Sequence, residues 1–564
     1  MGRLSSPAEF LMTVFLIVGA SFGGEAGALL LASETNAPPT GPATEQRFPP
    51  LTVPAGFKAT LFACDPLVEY PSVIAIGPKP GTLFVAHDYV TGLGVEIVRR
   101  DEIRILSDTD DDGYADNSQL YADGFNSIQG LAFHDGSVFV MHAPRLTALQ
   151  DTDGDGVADV RRNLLDGLGL PPEDNSNRLH CANGVVVGHD GWLYLALGDR
   201  GCDVQRAEGD RLLFQAGGIL RCRPDGRDLH VFATGLRNIY DIALDEELNV
   251  FVRDNENDGG DYMIRVCHSF HGADHGYPYL YPERPAEAIL PLADLGRGSS
   301  AGGTSYLETA FPIEYRQSLF FCEWGRAVVR YGKRRSGGYF QPMNEIDFAA
   351  GAPSDPYGFK PTDLVVDHDG SLLVSDWCDG QRPKRGRGRI YRIATTGQPT
   401  TRSAHRITSS TSDDKLIELL NSESHHQRHA AQNAIENRVK NEDTRAQNLL
   451  RNLQRSMKDL SLTALGRLHA VWVIAHGGGD RAVDILLSFA QTDPDPRVQA
   501  QAVRAIADLA DPMFVQYQIA MGQGDPLIAR RIADLADDEE PRVLLEVLIA
   551  LGRLRWSDAP RWLF

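Results

Sequence analysis

No two cysteines of this chain stand in C-x-x-C spacing, which excludes zinc ribbons and a c-type haem attachment. The seven cysteines (64, 181, 202, 222, 267, 322 and 378) are odd in number. An oxidising compartment would permit local disulfides but leave at least one thiol unpaired. Positive charge is also scarce. Lys and Arg total 55 against 76 Asp and Glu, a net charge of −21, which argues against nucleic acid and anionic membrane surfaces as partners. Long apolar runs are missing as well. The stretch over residues 10–18 is too short for a transmembrane span. With Arg3 before it and small residues through Ala28 after it, residues 1–32 read as an export signal. The expected location is the periplasm or cell surface, with the segment cleaved or retained as an anchor.

What is abundant is clustered acid. Two near-copies of one loop occur, over residues 108–116 and 151–159. Carboxylates stand at loop positions 1, 3, 5 and 9 (Asp108, Asp110, Asp112, Asp116; Asp151, Asp153, Asp155, Asp159), with Gly at position 6. Position 7 (Tyr114, Val157) offers a backbone carbonyl. Oxygen-rich donors around a sharp turn suit Ca2+, and so many carboxylates repel one another unless a cation neutralises them. Two solvated acidic turns are the simpler alternative. An EF-hand is the wrong parent, because position 12 is Gln119 in one loop and Arg162 in the other. The flanks at residues 95–98, 103–106 and 138–141 read as strands, so the loops are expected to be calcium-tied turns in a β protein.

A chain of 564 residues needs more than one core. Residues 48–395 carry a recurring hairpin, a polar turn followed by alternating apolar residues. It is seen at His134-Asp-Gly, His189-Asp-Gly, Asp245-Glu-Glu and His368-Asp-Gly, with an earlier member at residues 78–85. The period suits a four-stranded blade, and the length predicts a mainly β, six-bladed β-propeller. A β-sandwich array is the alternative. A Thr/Ser-rich linker over 396–412 follows, and then an all-α region over 413–564. There an R-x-x-A element recurs at Arg428, Arg467 and Arg497, with a variant at Arg542, as in HEAT/ARM-like helical repeats. The chain's last residues, 562–564, are apolar and are expected to need covering by more protein or a partner.

Propeller chemistry is expected in loops at the strand ends. The densest polar set is Arg178, His180 and Asn183, then Gly198-Asp199-Arg200; the next is Arg237-Asn238 followed by Asp254-Asn255-Glu256. A histidine near a guanidinium and an amide is a reasonable general base with an electrostatic clamp. A lone structural histidine is the plainer reading.

Residues 180–199 resemble the catalytic blade of soluble quinoprotein glucose/sorbosone dehydrogenases. The whole layout is similar to a bacterial family usually labelled membrane-bound dehydrogenase, which joins such a propeller to HEAT repeats and often to a cytochrome c domain not seen here. The resemblance implies His180 as the base on a sugar hydroxyl and Arg237 and Asn238 against pyrroloquinoline quinone. It also implies a cofactor calcium held near Asn255 and Glu256, and Arg326, Lys360 and Gln129 as further cofactor contacts. The pattern departs in several places. A quinone-binding Lys falls on Gly325 beside Arg326, one of two arginines falls on Lys360 and the other on Thr362. The pocket Gln falls on Phe125, with Gln129 displaced.

The leading expectation is thus an exported, calcium-stabilised, quinoprotein-like oxidoreductase of a sugar or polyol, passing electrons to an external acceptor. The alternative is a non-catalytic propeller that binds carbohydrate or protein, with the helical repeats as an assembly surface. A lactonase-type hydrolase with a metal at the cavity centre is a third reading.

Overall fold

The computed structural model describes residues 41–89, 100–169, 180–255, 264–280, 283–296, 298–378, 386–397, 407–440, 444–512, 524–537 and 540–560. The expected export signal, the strand at 95–98, Arg178, Glu256, much of the linker and residues 562–564 lie outside these. Six sheets are arranged as the blades of a propeller. From the inside outwards, blade 1 is Pro71–Ile76, Thr82–His87, Asp101–Ser107 and Asn117–Phe125. Blade 2 is Gly130–His134, Ser137–His142, Arg145–Gln150 and Val160–Asp166. Blade 3 starts at Ala182–Val187 and Leu193–Leu197 and continues through Gly217–Cys222 and His230–Leu236. Blade 4 starts at Ala243–Leu244 and Val250–Asn255, blade 5 at Ser300–Ser305 and Leu319–Glu323, and blade 6 at Pro361–Val366 and Leu372–Asp376.

The outermost strand of blade 6 comes from the other end of the domain. Phe57–Cys64 pairs antiparallel with Arg389–Thr395, from Phe57 opposite Thr395 to Cys64 opposite Arg389. This closes the ring with backbone hydrogen bonds, so no blade edge is left for the chain's two ends to fray from. Apolar side chains that alternate along the strands fill the gaps between blades: Val73, Phe84, Tyr121 and Val140 between blades 1 and 2, Trp192, Tyr194 and Val252 between blades 3 and 4. All seven cysteines are buried.

The polar hairpin turns join the first and second strands of blades 1, 2, 3, 4 and 6. Blade 5 makes the same connection by a longer excursion over residues 306–318, which contains no Asp-Gly. That is why its sequence shows no hairpin signal.

The chain then turns helical. Among the described residues the α-helices are α1 (Asp413–Leu419), α2 (His425–Val439), α3 (Thr444–Lys458), α4 (Ala464–Gly477), α5 (Ala482–Thr492), α6 (Pro496–Ala510), α7 (Pro526–Ala533) and α8 (Pro541–Leu554). Their starts follow local chemistry. Ser412, Ser424, Thr463, Asp495 and Asp525 cap α1, α2, α4, α6 and α7 by accepting from early backbone N–H groups. Proline at the first position of α6, α7 and α8 removes a donor that had no partner there. None of these helices is long and apolar enough to cross a membrane.

Residues 40–564 form one compact unit, because the helices dock on the polar hairpin turns. Leu248, in the blade 4 turn, is buried in the helical core, a contribution of about 1.5–3 kcal/mol. Asp508 of α6 accepts from Trp192 Nε1 at 2.9 Å and pairs with Arg221 at 3.1 Å and Arg553 at 2.6 Å. Arg428 and Arg542, two of the recurring helix-start arginines, reach Glu246 and Glu247 of the blade 4 turn. Arg467 and Arg497 stay within the helices, on Asp493 and Asp495.

Candidate functional site

A cavity of about 240 Å3 opens at the propeller end opposite the helices, where the blades' second strands end. Its lining draws on all six blades and the loops that enter them and includes Gln129, His180, Asn183, Asn238, Trp324 and Trp377.

His180 enters blade 3 in a left-handed conformation, φ +60°, which a non-glycine residue adopts only when its surroundings compel it. Those surroundings are the turn at 198–200. The Arg200 N–H donates to the His180 carbonyl at 3.1 Å. A Cβ at Gly198 would lie 2.4 Å from that carbonyl oxygen, so position 198 must be glycine. The same turn aims Asp199, whose Oδ1 lies 2.7 Å from His180 Nδ1. A carboxylate only accepts, so Nδ1 carries the proton and Nε2 keeps its lone pair. The Tyr277 hydroxyl donates to the other Asp199 oxygen at 3.4 Å.

The Arg237–Asn238 turn is held by a buried carboxylate. Asp254 accepts from both backbone N–H groups at 3.1 and 3.0 Å and pairs with the fully buried Arg265 at 2.9 Å. Asn183 Nδ2 donates to the Asn238 side-chain oxygen at 3.2 Å and to the Ile239 carbonyl at 2.7 Å. This leaves Asn183 Oδ1 and Asn238 Nδ2 as the polar atoms of the pair available to a ligand. Gln129 donates to Ser127 at 3.0 Å. The Trp377 indole N–H and the Ser300 hydroxyl are buried without a partner, and both residues line the cavity.

The structure therefore brings His180, Asn238 and Gln129 together and sends the expected cations elsewhere. Arg237 donates to the Asn255 carbonyl at 3.2 Å instead of lining the cavity, and so occupies one of the carbonyls expected near a cofactor calcium. Arg326 is exposed and pairs with Glu345 and Asp347 at 2.9 and 3.1 Å on the outer part of blade 5. The Lys360 ammonium sits 3.8 Å above the Trp324 ring, and partial burial lowers its pKa. Among the described residues no Lys or Arg lines the cavity, while Asp88 does. Pyrroloquinoline quinone carries three carboxylates, and the described lining by itself offers them no cation, the Lys360 ammonium behind Trp324 being near at hand.

Trp324 and Trp377 were not among the expected site residues. A signal for them existed. Blades 1, 3, 4, 5 and 6 each place an acid at or just beyond the end of the second strand: Asp88, Asp199, Asp254, Glu323 and Asp376. The indoles directly follow the last two.

Below this cavity Tyr240 marks the waist of the channel, lining both this cavity and a second one toward the helices. In the second, the buried Asp363 and the half-buried Asp241 stand beside each other. Burial, and for Asp241 the neighbouring Asp363 carboxylate, raises both pKa values, that of Asp363 to about 7.

The acidic loops join the third and fourth strands of blades 1 and 2. Asp108, Asp110 and Asp112 bring carboxylate oxygens within 4.8 Å of one another, as do Asp151, Asp153 and Asp155. Burial, then the neighbouring carboxylates, raises the pKa of Asp112. Asp116 and Asp159 are outside these groups. They turn back to accept from the backbone N–H and hydroxyl of Thr109 and of Thr152. Gln119, at position 12 of the first loop, donates to the Asp155 carbonyl of the second at 2.8 Å.

Comparison with known proteins adds the following. Among solved structures, a PQQ-bound aldose sugar dehydrogenase from Streptomyces coelicolor is 16% identical, with 61% of this chain and 99% of that one covered and a TM-score of 0.43. The PQQ domain of a pyranose dehydrogenase from Coprinopsis cinerea is 15% identical, with 61% and 97% covered and a TM-score of 0.43. A gluconolactonase from Xanthomonas campestris is 13% identical, with 61% and 94% covered and a TM-score of 0.34. The six-bladed assignment rests on the strand pairing itself, and the membrane-bound dehydrogenase resemblance on the sequence motifs alone. No curated protein matches the sequence. The model of the family described as "Domain of unknown function (DUF7133)" matches residues 43–397, and the chain belongs to that family.

Proposed function

We propose that the open-end cavity binds a neutral polyhydroxylated ligand, a sugar or polyol, and that His180 acts there as a general base on a ligand hydroxyl. The observation that carries this reading is the lining: two indoles, three amides, serine hydroxyls and a histidine–aspartate pair, with no cation among the described lining residues. The apolar face of a sugar packs on an indole plane, and its hydroxyls exchange hydrogen bonds with amides in both directions. Asp199 leaves His180 Nε2 as the basic atom and stabilises the imidazolium formed when a hydroxyl gives up its proton. This proton transfer is the half of an alcohol oxidation that the chain's own residues supply.

The test is calorimetric titration with aldoses and polyols, without added cofactor, on the wild type and on Trp377→Ala. Saturable binding weakened by the substitution is expected. No binding of any sugar or polyol would overturn the reading. Dye reduction that requires added pyrroloquinoline quinone and Ca2+, and is lost in His180→Ala, would restore the quinone-dependent alternative.

We also infer that the two acidic loops take Ca2+ as structural clips on blades 1 and 2, remote from the proton transfer. The grouped carboxylates and the Gln119 brace between the loops support this.

A further inference from the structure

The hairpin histidines that the sugar reading does not use meet other histidines where the helices dock. His134, His189 and His368 stand in the turns of blades 2, 3 and 6. Their rings lie 5.3 Å from His429, 4.6 Å from His469 and 4.9 Å from His426, centroid to centroid. Within this seam, Glu246 of blade 4, His425 of α2 and His469 of α4 bring one ligand atom each within 4.8 Å of one another.

The hydrogen bonds around His469 decide which of its nitrogens is free. Gln432 donates its amide N–H groups to the His189 carbonyl at 2.6 Å and to Glu436 at 2.7 Å, so its oxygen must face His469. That oxygen is 2.6 Å from His469 Nδ1, which therefore carries the proton. His469 Nε2 is left as a bare lone pair, buried with no partner. His189 Nε2, in the neighbouring ring, is likewise buried without a partner. His189 and His469 are 3% and 1% exposed, so water does not relieve either. A second residue that fixes the tautomer of a histidine is the usual support behind a metal-bound imidazole.

We propose that Glu246, His425 and His469 form a binding site for a divalent transition metal, Zn2+ by preference, with a water from the channel in the fourth position. The ion would pin α2 and α4 to the propeller. Two imidazoles and a carboxylate suit Zn2+, while Ca2+ and Mg2+ demand oxygen donors. His425 Nδ1 and Glu246 Oε2 are 3.4 Å apart, about the ligand–ligand spacing of a tetrahedral ion with bonds near 2.0–2.1 Å. The channel cavity, about 240 Å3, reaches His189 and His425 and provides entry. Arg428 pairs with the other oxygen of Glu246. It holds the carboxylate in place and, as a cation, lowers the affinity. The site is independent of the sugar reading.

The test uses the full chain, stripped by chelation and titrated with Co2+ in excess Ca2+, which fills the acidic loops. One equivalent of Co2+ is expected to raise the intense visible d–d bands of a four-coordinate site, which Zn2+ then displaces, and to raise the melting temperature. His425→Ala, at a half-buried position, is expected to lose the bands with its far-ultraviolet circular dichroism unchanged; His469→Gln is the second variant. If His469→Gln does not fold, the wild-type spectrum and His425→Ala decide. The absence of bands in the wild type, only the pale spectrum of a six-coordinate ion, or bands that survive in His425→Ala would overturn the site.

Discussion

His180 and His189 stand at opposite ends of one strand pair in blade 3, and their surroundings differ completely. His180 faces an open cavity, with one nitrogen held by Asp199 and the other directed to whatever enters. His189 lies under the helices, buried, beside His469. The contrast extends to the charges. At the seam nearly every charge is matched from within the chain, as Asp508 is by Arg221 and Arg553 and Glu246 by Arg428. At the open end Asp199 and Asp254 are spent on orienting loops, and among the described residues the lining holds no Lys or Arg. A propeller can thus carry similar polar residues at both ends of its strands, one set for ligands and the other for docking.

The largest effect should come from the seam. Asp508→Ala takes one carboxylate from each of two buried guanidinium groups, Arg221 keeping Asp190 and Arg553 keeping Asp511, and removes the acceptor of the Trp192 indole N–H. We expect a loss of roughly 3–5 kcal/mol in denaturant unfolding. A loss below 1 kcal/mol would mean that the two ends do not differ as described. At the open end, His180→Ala should leave the melting temperature nearly unchanged. It should lower any proton-transfer rate by roughly 10²-fold or more, read as turnover on a responding sugar or polyol. Trp377→Ala should weaken sugar binding by roughly 1.5–3 kcal/mol, the value of a buried apolar side chain.

The channel between the two ends should show itself in pH dependence. Asp363 has a folded-state pKa of about 7, above the ordinary carboxylate value it has when unfolded. The folded state therefore binds the extra proton, and this contribution is fully present below about pH 4 and lost as pH rises through 7. Tyr240 and Cys322 face the pair, and the Arg253 guanidinium lies beyond Cys322. Asp241→Asn removes the adjacent carboxylate. Urea midpoints across pH 4–8 should then decline less with rising pH than in the wild type, and exceed it above pH 7. Smallest of all, Arg326→Ala should change stability by about 0–1 kcal/mol, as for any exposed pair, and leave sugar binding unaltered. Weakened binding would bring Arg326 back into the site.

Much of the fold was legible in the sequence. Five of the six blades announce themselves by a polar turn before alternating apolar residues, because a tight hairpin needs those turn residues wherever it occurs. Blade 5 does not, since its long connection at 306–318 needs no such turn. His180 and Asn238 were legible as polar residues beside strand ends, and Gln129 only through the family resemblance. Trp324 and Trp377 were not, because an indole in a β protein reads as core until its neighbours are known. The destinations of Arg237 and Arg326 were equally hidden, since charge is visible in a sequence and its partner is not.

By itself, then, the sequence determined what depends on near neighbours: blade count, acidic loops, helix starts and the Gly198-Asp199 turn that holds His180. Tertiary structure alone decided what depends on distant segments meeting. Closure of blade 6 by Phe57–Cys64, the gathering of the cavity from all six blades and the burial of hairpin histidines under α2 and α4 are all of this kind. The physical reason is that turn and cap energies act over a few residues, whereas burial and charge pairing are set by whichever segment closes over the group.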